Sequence, residues 1–140
     1  MRKIDSIILH CSATREGQDV SVETIREWHI KRGWSDIGYH YVIYLDGSVH
    51  EARPVERMGA HCKGRNKGSI GVCYIGGVEA DGKTPKDTMT EEQDIAMVNL
   101  ILSIRDKYRE SGKVRIHGHN EFAAKACPSF SVPKKYAWLL

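Results

Sequence analysis

Two histidines, a lysine and a cysteine crowd into the run Val114 to Phe130, VRIHGHNEFAAKACPSF, directly behind residues that read as a buried strand. Imidazole and thiolate are the ligands zinc prefers, and a catalytic zinc site takes three ligands from the protein and leaves its fourth position to water. His10 lies near the other end of the chain, at the carboxyl end of the apolar run Ile4 to Leu9. In sheets flanked by helices, that end opens into the crevice where ligands bind. His10, His119 and Cys127 therefore form a candidate ligand set. His117 competes with His119, because residues two apart on a strand point the same way. The chain holds no HExxH and no paired CxxC, so spacing alone leaves that choice open. Lys125 would put a cation where a developing oxyanion needs one. On base rates it is more often a solvated surface lysine.

These groups meet only if the elements between them fold the ends together. Ile4 to Leu9 reads as a buried strand, and alternation turns Cys11 away from the face that His10 uses. Ser21 is a good N-cap and Gly33 a good stop for a first helix, with Val22, Ile25, Trp28 and His29 on one face and Trp34 packing back over its end. Tyr39 to Leu45 reads as a strand that turns at Asp46-Gly47 and returns through Ser48 to Ala52. Alternation groups Tyr39 with Tyr41, Ile43 and Leu45, and leaves His50 exposed. Gly59 to Gly71 is a long polar loop carrying His61, and such loops in compact domains are often functional. Ile70 to Ile75 reads as a central strand with Cys73 in the core, and Gly76 to Lys86 as a turn-rich connection. Thr90 and Gln93 form a capping box for the longest helix, whose inner stripe is expected at Ile95, Val98, Leu102 and Arg105 or Tyr108, ending at Gly112. Val114 to His117 is a short strand, and Pro133 to Leu140 suits a last helix. The pattern is α/β, one domain over residues 1–140.

Composition excludes several classes. A chain of 140 residues with 41% hydrophobic and 28% charged residues is an ordinary globular protein, neither disordered nor fibrous. The net charge of +3 is too small and too scattered to argue for nucleic acid, although it would ease approach to an anionic polymer. The apolar run Ile7 to Leu9 is far short of a signal core or a membrane span, so no signal peptide and no membrane insertion are expected. Four widely spaced cysteines, Cys11, Cys62, Cys73 and Cys127, are then more consistent with reduced thiols than with bridges.

The stretches HCSAT (His10 to Thr14), REWH (Arg26 to His29), GYHY (Gly38 to Tyr41), DGSV (Asp46 to Val49), SIGVC (Ser69 to Cys73) and KACPSF (Lys125 to Phe130) cover nearly the whole chain in order. Together they resemble the phage-lysozyme type of zinc N-acetylmuramoyl-L-alanine amidase, in the family shared with peptidoglycan recognition proteins. That resemblance implies a mixed central β-sheet flanked by helices, in agreement with the strand and helix pattern. It implies one Zn2+ held by His10, His119 and Cys127, the family's spacing back from Cys127 selecting His119. It also implies that Lys125 stabilises the transition state, that Tyr39 is the catalytic tyrosine beside the zinc-bound water, and that His61 touches substrate. The implied reaction is hydrolysis of the amide between N-acetylmuramic acid and L-alanine of peptidoglycan, by a phage or prophage endolysin. Such an enzyme is expected as a monomer held in the host cytoplasm until a separate pore former releases it. The phage relatives' second role, inhibition of RNA polymerase, is tied to an N-terminal extension; this chain starts nine residues before His10, so polymerase binding is not carried over. Two other readings are a wall-binding module without hydrolysis, against which the Cys127 ligand speaks, and a polymerase regulator.

Overall fold

A computed structural model describes residues 2–140. In chain order its elements are β1 (Ser6–Cys11), β2 (Thr14–Arg15), α1 (Val22–Lys31), β3 (Tyr41–Ile43), β4 (Val49–Glu51), β5 (Ser69–Tyr74), β6 (Gly77–Val78), α2 (Glu91–Lys107), β7 (Arg115–Gly118) and α3 (Val132–Lys135), with short 3-10 turns between and after the last ones. The main sheet runs β4-β3-β5-β1-β7. β3, β5, β1 and β7 are mutually parallel and β4 is antiparallel to β3, which makes the sheet mixed. β2 and β6 form a separate two-stranded patch.

α2 and the C-terminal segment cover one face of the sheet and α1 the other. Ile7 and Leu9 of β1, Ile70, Val72 and Tyr74 of β5 and Ile116 of β7 pack against Met97, Ile101 and Ile104 of α2 and against Tyr136 and Leu139 near the C-terminus. On the opposite face α1 brings Val22 and Ile25 against Val42, Cys73 and Ile75. α1 covers only the β3 and β5 side.

The inner stripe of α2 departs from the one expected. Gln93, Met97, Ile101, Ile104 and Tyr108 face in, whereas Ile95 and Leu102 are about half exposed, at 55% and 48%. Gln93 is the reason. Its side chain closes the capping box with Thr90 and also donates to the carbonyls of Ile43 and Ile75 at the ends of β3 and β5. Ile43 O already accepts the Ile75 N–H at 3.0 Å, so it is the buried Ile75 carbonyl that relies on this donor; a polar residue takes an inner position and the apolar stripe shifts to keep its 3.6-residue period. In α1, Trp28 likewise turns out to solvent while Val22, Ile25 and His29 face in. Strand pairing of the third strand begins only at Tyr41, so Tyr39 escapes the alternation and packs on the Val42 side. His50 is half-buried, stacked on Tyr44 with ring centroids 3.7 Å apart and bonded to Ser48 Oγ. The last helix begins one residue before Pro133, capped by Ser131.

Candidate metal centre and its groove

His10 is the last residue but one of β1, the strand between β5 and β7, and is 1% exposed. Its Nδ1 lies 3.6 Å from Cys127 Sγ, and its ring centroid 4.7 Å from that of His119. The ligand atoms of His10, His119 and Cys127 all fall within 4.8 Å of one another. A tetrahedral zinc bonded at about 2.05 Å to nitrogen and about 2.3 Å to sulfur would separate those two ligand atoms by about 3.6 Å. The donor set thus fits zinc in type, number and spacing.

Local structure aims each ligand. β7 stops at Gly118 and a 3-10 turn starts at His119, so the two histidines of HGHNE part company. His117 Nδ1 pairs with Glu121 Oε1 at 3.0 Å, while Glu121 Oε2 accepts from the Gly118 N–H at 2.6 Å and so fixes the turn that carries His119 inward. The loop of Cys127 is tied at three points: Tyr74 Oη donates to Pro128 O (2.8 Å), Ser129 Oγ to Gly77 O (2.7 Å) and Asn120 Nδ2 to Phe130 O (3.0 Å). The Cys11 N–H also donates to Cys127 Sγ at 3.3 Å.

Burial pushes the His10 imidazole well below its ordinary pKa, and His61, His119 and Lys125 add to the effect. Burial and Lys125 lower His119 as well. Both rings are then neutral near pH 7, the form a metal requires. The Cys11 thiol, followed by burial, pushes Cys127 up. A bound cation would offset both and let the thiol ionise.

Of the three candidate ligands, His119 lines a groove of about 630 Å³, walled also by Trp34, His61, Lys63, Phe122 and Lys125 among others. Lys63 and Lys125 line it and, among the described residues, no carboxylate does. Lys125 is exposed on the rim and enters none of the ion pairs among the described residues. The Tyr39 ring sits 5.0 Å from His10 and 5.4 Å from His29. Burial, then the thiols of Cys73, Cys127 and Cys11, hold its phenol well above the usual range, so it stays a neutral hydroxyl. His61 is 7% exposed, with Nδ1 2.9 Å from His10 Nε2 and Nε2 3.1 Å from Ser69 Oγ.

Sequence reasoning missed Ser69, Asn66 and the Trp34 and Phe122 walls. Asn66 Oδ1 accepts from the N–H groups of both His61 and Cys62 at 2.9 Å, and an asparagine inside a glycine-rich loop was the available signal.

Residues 1–130 match the sequence family described as N-acetylmuramoyl-L-alanine amidase. The endolysin of Escherichia phage T7 is 42% identical over 130 residues, 93% of this chain and 83% of that protein. Among solved structures, the amidase LysC from Clostridium intestinale URNW superposes with a TM-score of 0.78 at 24% identity, covering 99% of this chain and 86% of that one. Apis mellifera PGRP-SA gives 0.80 at 27% identity, over 98% and 83%.

Proposed function

This chain belongs to the N-acetylmuramoyl-L-alanine amidase family, and we propose that it is a zinc-dependent member that cuts the amide between the lactyl group of N-acetylmuramic acid and L-alanine of the stem peptide. The observation that carries the reading is the His10, His119 and Cys127 cluster, whose His119 lines a groove with no carboxylate among its described lining residues. The likeness to phage endolysins supports service as a phage or prophage endolysin. In that setting it would wait in the host cytoplasm, as a monomer, until a separate pore former opens the way to the wall. No described helix is long and apolar enough to cross a membrane.

His10, His119 and Cys127 would hold the zinc, which when bound lowers the pKa of a water from about 15.7 towards about 7 and polarises a carbonyl. Lys125 brings a positive charge to the oxyanion that develops on the scissile carbonyl. A donor placed in advance for such charge is worth roughly 10² to 10³ in rate. Tyr39, held neutral, can orient the attacking water through its hydroxyl. His61 would touch substrate only along the ring edge that borders the groove, because both its nitrogens are taken by His10 and Ser69. Trp34 and Phe122 supply apolar walls for a sugar or peptide.

Zinc analysis paired with mass spectrometry of digested peptidoglycan tests the reading. About one zinc per chain, and stem peptides released with a free L-alanine amine while the glycan stays intact, are expected. Fully zinc-loaded protein that binds wall fragments but frees no peptide would leave a recognition module instead.

A further inference from the structure

We propose that Ser69 and Asn66 act through His61 to decide which nitrogen of His10 carries its proton, and so hold His10 Nδ1 ready for the metal. The inference rests on the zinc reading above and adds to it two positioning residues.

Four groups stand in line. The backbone carbonyl of Asn66 lies 3.2 Å from Ser69 Oγ, which lies 3.1 Å from His61 Nε2. His61 Nδ1 lies 2.9 Å from His10 Nε2, and His10 Nδ1 faces Cys127 Sγ at 3.6 Å. A carbonyl has no proton to give, and this sets the direction of the chain. The Ser69 hydroxyl donates to Asn66 O and accepts from His61 Nε2–H. A neutral imidazole carries one N–H, so His61 Nδ1 is an acceptor and takes the proton on His10 Nε2. The lone pair of His10 then sits on Nδ1, among the other ligand atoms. Reversing the chain makes Ser69 donate to His61, leaves Asn66 O with only the longer bond from the Ser69 N–H at 3.4 Å and puts a proton on His10 Nδ1, where no metal can bind.

The surroundings hold His61 to this task. A Cβ on Gly71 would come within 2.5 Å of the His61 Cγ, and one on Gly59 within 2.7 Å of its Cδ2, so two glycines make the slot in which the ring lies. The Asn66 side chain accepts from the backbone N–H of His61 and of Cys62, which pins the loop from below. Partners that orient a ligating histidine through its second nitrogen typically matter by about 10- to 100-fold in metal affinity.

The test reads proton positions and zinc binding separately. In 15N-labelled wild-type protein, two-bond 15N–1H spectra should show both His10 and His61 with the proton on Nε2, with zinc and without it. By competition with a chromophoric chelator, Ser69→Ala should bind zinc roughly 10-fold more weakly, and His61→Leu roughly 10- to 100-fold more weakly. His61→Gln, whose amide oxygen can accept from His10, should recover most of that loss. Metal-free Ser69→Ala should melt close to the wild type. A proton found on His61 Nδ1, zinc binding by Ser69→Ala as tight as wild type, or a glutamine variant no better than leucine would each overturn the proposal. A wild-type chain that takes up no zinc would end the metallo-amidase reading instead. The His61 proton, read in that same metal-free sample, would still decide the direction of the hydrogen-bond chain.

Discussion

At the scale of single residues, a candidate ligand set could be named and its geometry could not. Histidine and cysteine near a strand end are a donor set that could hold a metal, yet alternation alone treats His117 and His119 as equals. The difference lies in Glu121, which ties down both His117 and the Gly118 N–H and thereby ends the strand. His117→Ala is accordingly expected to keep more zinc than His119→Ala, measured on protein dialysed against limiting metal; the opposite order would exchange their roles. Lys125 should separate from the ligands in the same assay. Exposed on the rim, it is not needed to hold a cation, so Lys125→Ala should retain about one zinc while turnover on purified wall falls by roughly 10² to 10³. Cys127→Ser should lose both, since a serine hydroxyl neither ionises near neutral pH nor matches the preference of zinc for thiolate. His61 shows where residue type gives out. Its identity pointed to the groove, but the proton relation to His10 depends on Ser69 and Asn66, which no spacing rule connects.

At the scale of elements, helix starts and the hairpin turn were legible because caps and turns are local chemistry, whereas α2 stops at Lys107 and not at Gly112, and the β2–β6 pair was not foreseen. Thr90 with Gln93, Ser21 and Asp46-Gly47 all act where they were expected to. Which side of α2 faces in was not local. The buried Ile75 carbonyl draws Gln93 inward, and nothing in the helix itself records that demand. The consequence is measurable by urea unfolding of the metal-free protein. Met97→Ala should cost about 2 to 4 kcal/mol, whereas Ile95→Glu and Leu102→Lys should stay within about 0.5 kcal/mol of wild type. Gln93→Leu keeps the volume but leaves two buried carbonyls without this donor and opens the capping box, for a loss of about 2 to 4 kcal/mol. If Ile95→Glu proved as costly as Met97→Ala, the assignment of the helix face would fail.

At the scale of the whole molecule, the parallel pairing of β1 with β5 and β7 brings the two ends of the chain side by side, and this placement follows from strand order rather than from any one segment. The same closure buries imidazoles away from the metal position, which makes the fold sensitive to acid. His29 is 5% exposed and its Nδ1 accepts from the Gly38 N–H at 2.9 Å; His40 is 0% exposed, its Nδ1 accepts from the Gly71 N–H at 3.0 Å and its single N–H, on Nε2, donates to Arg57 O. Protonating either ring sets a proton against an N–H donor. Burial, with nearby arginines, holds each down to about 4, against about 6.5 in an unfolded chain. Between those values the unfolded state binds more protons, so stability is full above about pH 6.5 and falls as the pH drops towards 4. The loss should be on the order of 2 to 3 kcal/mol for each ring by the acid end of that window. Asp81, held down to about 2 by the Thr84 hydroxyl, gives up its share only below it. Urea unfolding of chelator-treated protein at steps from pH 7.5 to 4.5 should therefore show a steepening decline that begins near 6.5, and His40→Gln should flatten part of it. A stability that held level down to pH 5 would mean that these two rings accept protons without leaving their hydrogen bonds, against the donor geometry around both.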